Sequence, residues 1–403
     1  MRRSAFLASG AAAAVIPSVA RAATHARVRP GDDKLLNEAW RDLVGRSVGV
    51  VTNQSGVLSS GEHVVDALHR VPQLTVRALF GPEHGIRGTA TAGSTVGSSV
   101  DEKTGLPVYS LYGATRKPTK AMLDGIDVLL FDIQDVGARP YTYVSTMAYV
   151  MEAAAQYGKD VWVLDRPNPV GGVLIDGPVL DPKFKSFTGL YPIPERHGMT
   201  IGELARMFND HFGIGCNLRV LTVENWTRDM LWADTNLHWI PTSPNMPYAR
   251  TTLVYLATGL VDEAGVNNGV GTDRPFEYAG GYGFDPVAMR DALAARGVPG
   301  VEFEPADWSP ARGFWAGKTL HGVTLNVTDP HTFPSVRTAV ELMAAARAQG
   351  KYHIAHAATM DRDWGTDTVR LALNDGASPD AIVAAWQPGL RAFSAARSKY
   401  LLY

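Results

Sequence analysis

The feature that most constrains the fold is a series of short apolar runs, each of which ends abruptly in polar residues. The clearest run, residues 128–131, has the Val, Leu and Phe content of a strand that a parallel sheet buries on both faces. Comparable runs occupy residues 46–53, 74–80 and 160–164, with helical patterns between them. Strands that alternate with helices in this way predict an α/β fold with a parallel sheet.

Polar residues directly after three of these runs form one candidate site. The carboxyl ends of parallel strands meet at one edge of a sheet, and α/β proteins bind their ligands outside that edge. The candidate residues are Asn53, Glu83, His84, Arg87, Asp132, Gln134, Asp135, Arg139, Tyr141 and Tyr143. The alternative is a strand-end loop in which the Asp and Arg side chains pair with one another.

Two folded domains are predicted after a short leader. Residues 35–247 contain the alternating strands and helices and form the parallel-sheet domain. Residues 248–403 combine strand and helix patterns without that alternation, which predicts a smaller α+β domain. Its patterns lie at residues 301–303, 319–327, 335–349 and 380–398.

A helix start adds one residue to the candidate site. Thr200 and Glu203 form a Thr-x-x-Glu capping box, which predicts a helix over residues 201–212. His197 lies just ahead of this helix, where its ring could donate a hydrogen bond. The preceding residues, 171–196, are rich in Pro and Gly and predict an extended covering loop.

Residues 1–22 have the pattern of an export signal. Arg2 and Arg3 precede an apolar run that ends in Ala20-Arg21-Ala22, a small-x-small cleavage site, and the arginine pair resembles a twin-arginine signal. The run is too short to span a membrane, for which about 20 apolar residues are needed. We therefore expect an exported, periplasmic protein with no stable membrane insertion after signal cleavage; an uncleaved anchor is the alternative.

Composition and missing motifs exclude several function classes. A net charge of −2 without a basic stripe argues against nucleic acid as a partner. The nucleotide-binding glycine patterns and the G-x-S-x-G of serine hydrolases are absent, so no nucleotide cofactor is expected. Metal ligands could be drawn from His84, Asp132, Asp135 and His197, but nothing fixes their spacing, and no metal is expected. The single cysteine, Cys216, is expected to be structural.

The surplus of carboxylates at the strand ends favours glycoside cleavage, which commonly uses two carboxyl groups. Glu83 suits the acid because partial burial beside a buried strand would favour its protonated form; its alternative is a structural ion pair with Arg87. Asp132 or Asp135 suits the second role, unless one of them holds Arg139. Glu277 is a further candidate if the cleft lies between the domains.

Other side chains suit binding of a sugar with an acidic substituent. Aromatic rings that could stack on sugar faces are Tyr141, Tyr143 and Trp239. Cations that could bind an acidic group are Arg87, Arg139 and Arg274.

Six ordered motifs give the sequence a family resemblance. They are G-V-V-T-N-Q-S-G, G-P-E-H-G-I-R-G, F-D-I-Q-D-V-G-A-R-P-Y-T-Y, D-R-P-N-P-V-G-G, R-H-G-M-T-I-G-E-L and P-T-S-P-N-M-P. Together they resemble the exo-β-N-acetylmuramidase family of the NamZ type, glycoside hydrolase family 171. The resemblance implies a Rossmann-like N-terminal domain with most of the site and a smaller C-terminal domain that closes the cleft. It also implies release of terminal N-acetylmuramic acid from the non-reducing ends of peptidoglycan fragments.

The resemblance bears on individual residues. Glu83 falls on the motif in which that family's general acid is suspected, and Asn245 in the last motif joins the substrate-binding candidates. One loop departs from the family: it reads Gly269-Val270-Gly271-Thr272 where the family usually has G-R-G-T. If that arginine binds the lactyl carboxylate, Arg274 replaces it here or the preferred sugar differs. A non-catalytic muropeptide-binding protein and a hydrolase of another amino sugar therefore stay open as alternatives.

Overall fold

A computed structural model describes residues 26–88, 97–313 and 315–403. The predicted export signal lies outside these residues. The described strands are β1 Ser47–Thr52, β2 Thr75–Gly81, β3 Ser99–Val100, β4 Pro107–Ser110, β5 Val128–Asp132, β6 Asp160–Leu164, β7 Asp176–Val179, β8 Pro194–Arg196, β9 Asn217–Leu221, β10 Tyr278–Gly281, β11 Val301–Trp308 and β12 Leu320–Val327. The described α-helices are α1 Gly31–Asn37, α2 Val64–His69, α3 Tyr143–Tyr157, α4 Ile201–Asp210, α5 Thr251–Thr258, α6 Pro286–Arg296, α7 Ser335–Ala348, α8 Ala357–Trp364, α9 Thr368–Asn374 and α10 Pro379–Arg397.

The large sheet has the order β3-β4-β2-β1-β5-β6-β9, and its strands are parallel except for the edge strand β3. The parallel strands, numbered in chain order, therefore follow the Rossmann order 3-2-1-4-5-6. This confirms the predicted Rossmann-like α/β fold. The strand order reverses between β1 and β5, where Thr52 lies opposite Asp132. The polar strand ends predicted as a site therefore meet beside this switch point.

The central strand β5 is buried on both faces because helices cover both sides of the sheet. Leu129 and Phe131 pack with α3 and α4, whereas Val128 and Leu130 pack with α1 and α2. Each such side chain stabilises the fold by roughly 1.5–3 kcal/mol relative to an exposed one. The rigid sheet fixes the backbone from which the strand-end residues project.

The predicted helix after residue 200 is confirmed. α4 begins with the capping box, in which Thr200 Oγ1 accepts from Glu203 N and the Glu203 carboxylate accepts from Thr200 N. The covering loop before it is more ordered than the sequence predicts, since β7 and β8 pair as an antiparallel hairpin.

The C-terminal part of the chain contains an antiparallel sheet of order β10-β12-β11 and the helices α5–α10. Its core also includes Val136, Ala138 and Val170, so the two parts of the chain share one hydrophobic cluster. At the C-terminus, Tyr403 Oη donates to Asp165 Oδ2 at 2.7 Å. Burial raises the pKa of Asp165 to about 7. The predicted boundary at residues 247/248 stays a prediction, although it falls just ahead of α5. Over the described ranges, no helix combines the length and apolar character required to cross a membrane.

Candidate active site

A cavity of ≈ 160 Å³ lies outside the carboxyl edge of the sheet, and we call it the Glu83 cavity. Residues from after β2, from the start of α3 and from the segment before α5 line it. Five predicted site residues meet there: Glu83, His84, Tyr141, Tyr143 and Asn245. The fold brings these residues together, although they are spread over more than 160 positions from 83 to 245, and their role in a site stays a prediction.

Two hydroxyl groups hold the half-buried Glu83 carboxyl. Thr142, the residue before α3, donates from Oγ1 to Glu83 Oε2 at 2.8 Å. Burial and the nearby charge of Glu83 raise the pKa of Tyr112, whose hydroxyl is hydrogen-bonded to this carboxyl. Arg87 binds Asp101 and Asp66 instead, at 2.9 and 3.1 Å. The alternative of a Glu83–Arg87 ion pair is therefore not what the structure shows, and hydroxyl groups bind the Glu83 carboxyl instead.

Two non-glycine residues of the cavity wall have a left-handed backbone. The φ angles are 71° for His84 and 66° for Phe276. Such conformations are costly for residues with a side chain, and they concentrate where function requires a fixed geometry. The turn after β2 thus holds Glu83 and the buried His84 in a defined arrangement.

Aromatic rings form one wall of the Glu83 cavity. Tyr141 packs edge-on against Tyr143 and Tyr255, with centroid separations of 5.0 and 5.8 Å. Tyr143 Oη donates to Thr242 O at 2.6 Å, and the Tyr141 hydroxyl is 2.6 Å from Thr242 Oγ1. Burial raises the pKa of both phenols, so both are neutral at pH 7. This wall offers an apolar surface with fixed polar edges, which suits one face of a sugar ring.

Asp135 and His197 form a buried pair. His197 Nε2 is 3.4 Å from Asp135 Oδ2, and that oxygen also accepts from Gly137 N at 2.8 Å. The other ring nitrogen, Nδ1, accepts from Met199 N at 3.2 Å, which places the ring proton on Nε2 toward the carboxylate. Asp135 Oδ1 is buried and has no hydrogen-bond partner among the described residues. A desolvated carboxylate oxygen of this kind is expensive and marks a functional candidate.

Asp132 belongs to an ion-pair cluster. Arg166 Nε donates to its Oδ1 at 2.6 Å, and Arg166 Nη2 donates to Asp32 Oδ2 at 2.7 Å. Burial alone would lower the pKa of Arg166, but the charges of Asp132 and Asp32 outweigh it and raise that pKa. Asp132 Oδ2, like Asp135 Oδ1, is buried without a hydrogen-bond partner among the described residues, and neither carboxylate lines the Glu83 cavity. What distinguishes Asp132 is its ion pair with Arg166, so its predicted catalytic role is corrected to a structural one.

The predicted role of Arg139 in binding an acidic group of the substrate is also corrected. Its guanidinium is 1% exposed and binds Glu195, and its Nη2 donates to Asp363 O at 3.0 Å. Neither Asp132 nor Asp135 pairs with it, contrary to the alternative considered from sequence. An enclosed arginine that is ion-paired to a buried glutamate supports the fold rather than a ligand.

Two other predicted binding residues support the strand-end loops. Gln134 Nε2 donates to Asp135 O and Pro167 O, both at 2.8 Å, and the residue lines a separate cavity of ≈ 120 Å³. Asn53 Oδ1 accepts from Ser55 N and Ser55 Oγ at 2.9 and 2.6 Å. Their roles in substrate binding stay predictions.

The two predicted site residues of the C-terminal part, Arg274 and Glu277, form an ion pair with each other. Arg274 Nε donates to Glu277 Oε2 at 2.8 Å, and Arg250 Nε donates to Glu277 Oε1 at 3.1 Å. Because two guanidinium groups hold Glu277, its carboxylate is less suited to the anomeric centre than Asp135. Trp239 donates to Met246 O at 3.1 Å and packs on the C-terminal core.

Several residues of the site were not predicted. These are Tyr112, Thr142, Ser243, Tyr255 and Phe276. Thr142 could have been found, since it lies inside one of the six family motifs, and the structure places it directly before α3. Among the described residues, no group of three or more His, Cys, Asp or Glu side chains is arranged to hold a metal ion.

The fold and the site define a class: a two-part α/β protein whose carboxylate-bearing, tyrosine-lined cavity lies at the switch point of a Rossmann-like sheet. The family model described as exo-β-N-acetylmuramidase NamZ, N-terminal, matches residues 48–250, and its C-terminal counterpart matches residues 253–403. The chain belongs to this NamZ family.

Individual relatives agree with this membership. The peptidoglycan β-N-acetylmuramidase NamZ of Bacillus subtilis (strain 168) is 44% identical over 395 residues, which cover 98% of this chain and 95% of the relative. Two crystal structures of DUF1343 family proteins from Bacteroides fragilis NCTC 9343 have TM-scores of 0.89 and 0.76 to this chain. They are 35% and 30% identical, and each match covers 94% of this chain and 99% of the other.

Proposed function

We propose that this protein is an exo-acting glycoside hydrolase that releases terminal N-acetylmuramic acid from the non-reducing ends of peptidoglycan fragments. The observation that carries the proposal is the match to a β-N-acetylmuramidase over both parts of the chain, at 44% identity. The Glu83 cavity supports it, because the cavity supplies a carboxyl group, aromatic faces and polar side chains together. Peptidoglycan fragments or muropeptides are the proposed partners.

Glu83 is the proposed general acid. In glycoside cleavage, one carboxylic acid protonates the leaving oxygen while positive charge develops at the anomeric carbon. The hydroxyls of Thr142 and Tyr112 hold the Glu83 carboxyl at the cavity wall, so a bound sugar meets it in a fixed orientation. Pre-positioning of this kind lowers the entropic part of the barrier.

Asp135 is the proposed second carboxylate. The Gly137 amide donates to its Oδ2 and His197 Nε2 lies 3.4 Å from that oxygen, while Oδ1 has no partner among the described residues. An ionised carboxylate in this setting would stabilise an oxocarbenium-like transition state.

Hydrolysis of 4-nitrophenyl β-N-acetylmuramide and of the matching glucosaminide, by protein lacking residues 1–22, tests the proposal. We expect release of nitrophenolate from the muramide and little from the glucosaminide. Release from the glucosaminide alone would instead indicate a hydrolase of another amino sugar. Release from neither, with thermal stabilisation by muropeptides, would indicate a non-catalytic binding protein.

We also infer that the protein is exported to the periplasm. The support is the sequence of residues 1–22, with its arginine pair, apolar run and small-x-small site. Fractionation of cells that produce the full chain tests this, with Arg2→Lys/Arg3→Lys as the matched variant. Protein confined to the cytoplasm in both cases would contradict export.

A further inference from the structure

N-acetylmuramic acid differs from N-acetylglucosamine by a lactyl group that carries a carboxylate. This inference rests on the proposed function, in which the site must favour that acidic sugar. A guanidinium group near the cavity would supply the preference, because Arg binds carboxylates with paired, charge-assisted hydrogen bonds. The question is which arginine is available.

The three arginines suggested by the sequence are already bound to carboxylates. Arg87 is held by Asp66 and Asp101, Arg139 by Glu195, and Arg274 by Glu277. Recruiting Arg87 or Arg139 would leave Asp101 or the buried Glu195 without a cation, which is most costly for Glu195, and recruiting Arg274 would leave Glu277 with Arg250 alone. Neither these three nor Arg312 lines the Glu83 cavity itself, but Arg312 is hydrogen-bonded to a residue that does.

Arg312 has a different environment. It lies in the loop between β11 and β12, its side chain is exposed, and its Nη2 donates to Asn245 Oδ1 at 2.8 Å. Asn245 lines the Glu83 cavity. Within the described part of the chain, no carboxylate forms an ion pair with Arg312. The one side-chain hydrogen bond of Arg312 among these residues is to the neutral amide of Asn245. Its positive charge is therefore not neutralised at the edge of the cavity.

The backbone around Arg312 is held in place. Ala311 N donates to Gly271 O at 2.8 Å, and Gly317 N donates to Pro310 O at 2.8 Å. Gly271 has a φ of 96°, and a Cβ there would lie 2.4 Å from Arg312 O. The glycine thus permits a close approach between its own loop and the Arg312 loop. Val270 beside it contributes no charge, whereas Arg312 brings a guanidinium group to the contact between the two loops.

We propose that Arg312 binds the lactyl carboxylate of the terminal N-acetylmuramic acid and determines the preference of the site for a muramide. Asn245 orients the guanidinium by accepting one of its N–H groups. The remaining N–H groups stay available for the substrate. Arg312 is a specificity-determining residue in this account, and the proton transfer is left to the carboxyl groups.

The test compares a charged and a neutral form of one substrate, 4-nitrophenyl β-N-acetylmuramide and its lactyl methyl ester. We expect Arg312→Ala to lower kcat/KM for the acid roughly 10- to 100-fold, the range of a lost charge-assisted hydrogen bond. The ester should change by less than about threefold, since it lacks the charge. Arg312→Lys should restore part of the activity on the acid. Lys318→Ala, which removes another exposed cation of the same loop, is the control and should have no effect.

Equal losses on acid and ester would overturn the proposal, because they would indicate a structural role for Arg312. An unchanged kcat/KM for the acid would overturn it too, while wild-type turnover would leave the proposed function intact. Calorimetry with free N-acetylmuramic acid and N-acetylglucosamine separates the two proposals if no turnover is found. If the protein binds N-acetylmuramic acid more tightly than N-acetylglucosamine, and Arg312→Ala abolishes this difference, the role of Arg312 is supported and the proposed hydrolase activity is contradicted. Equal binding of both sugars, or binding of neither, would contradict both the role of Arg312 and the proposed activity.

Discussion

Glu83→Gln is expected to lower kcat by about 10²–10⁴-fold, which is the usual contribution of general acid catalysis. The substrate for this measurement is a natural disaccharide with N-acetylmuramic acid (MurNAc) at the non-reducing end and N-acetylglucosamine (GlcNAc) at the reducing end, MurNAc–GlcNAc. The amide cannot donate an acidic proton to the glycosidic oxygen, but its oxygen can still accept from Thr142. The cavity should therefore keep its shape, and KM should change little.

The leaving group distinguishes acid catalysis from a binding role for Glu83. A nitrophenolate leaves readily without protonation, so the loss on the aryl muramide should be smaller than the loss on the sugar substrate. Measuring kcat for both substrates, with Glu302→Gln on the exposed face of β11 as the control, tests this. Full kcat on the disaccharide, or equal losses on both substrates, would contradict the assignment of Glu83 as the acid.

Arg166→Met is expected to lower the free energy of unfolding by about 3–5 kcal/mol at pH 7.5, as for other buried ion pairs that lose one partner. The substitution leaves Asp32 and Asp132 buried without their cation, and both side chains are 0% exposed. Urea denaturation measures the loss. Arg290→Met, which breaks an exposed pair with Asp291, should cost no more than about 1 kcal/mol.

The pH dependence of the Arg166→Met loss provides a further check. Burial already raises the pKa of Asp32 well above its usual range, and loss of the Arg166 charge should raise it further. A carboxyl whose pKa is higher in the folded state contributes stability at low pH that is lost as pH rises through the folded pKa. The destabilisation by Arg166→Met should therefore be smaller at pH 5 than at pH 7.5. A loss that is small at both values, or that grows on acidification, would contradict the ion-pair role.

The fold was predictable because its signals are local. The run at residues 128–131 is apolar at every position, which indicates a strand covered on both faces, and the Thr200/Glu203 capping box marks a helix start within four residues. The strand β10 gave no such signal. Its sequence Tyr-Ala-Gly-Gly has little strand propensity, and it forms because Gly280 allows close pairing with Gly322 of β12.

The site was predictable in part, because the sequence fixes which residues follow the strands but not which partners they meet. Asp132 and Asp135 look equivalent in one motif. The structure separates them because Arg166, 34 residues later, follows the neighbouring strand β6 and binds Asp132. Glu195, the partner of Arg139, lies 56 residues away in the hairpin strand β8. Such pairings depend on strand order and on loop packing, which no local pattern encodes.

Two isomeric disaccharides show most directly whether the enzyme removes N-acetylmuramic acid from a non-reducing end. Wild-type protein lacking residues 1–22 would be incubated with MurNAc–GlcNAc and, separately, with GlcNAc–MurNAc, and the free sugars would be identified by mass spectrometry. We expect that only MurNAc–GlcNAc is cleaved, in a reaction that depends on Glu83. Cleavage of GlcNAc–MurNAc, or no cleavage of either disaccharide by folded protein, would contradict it.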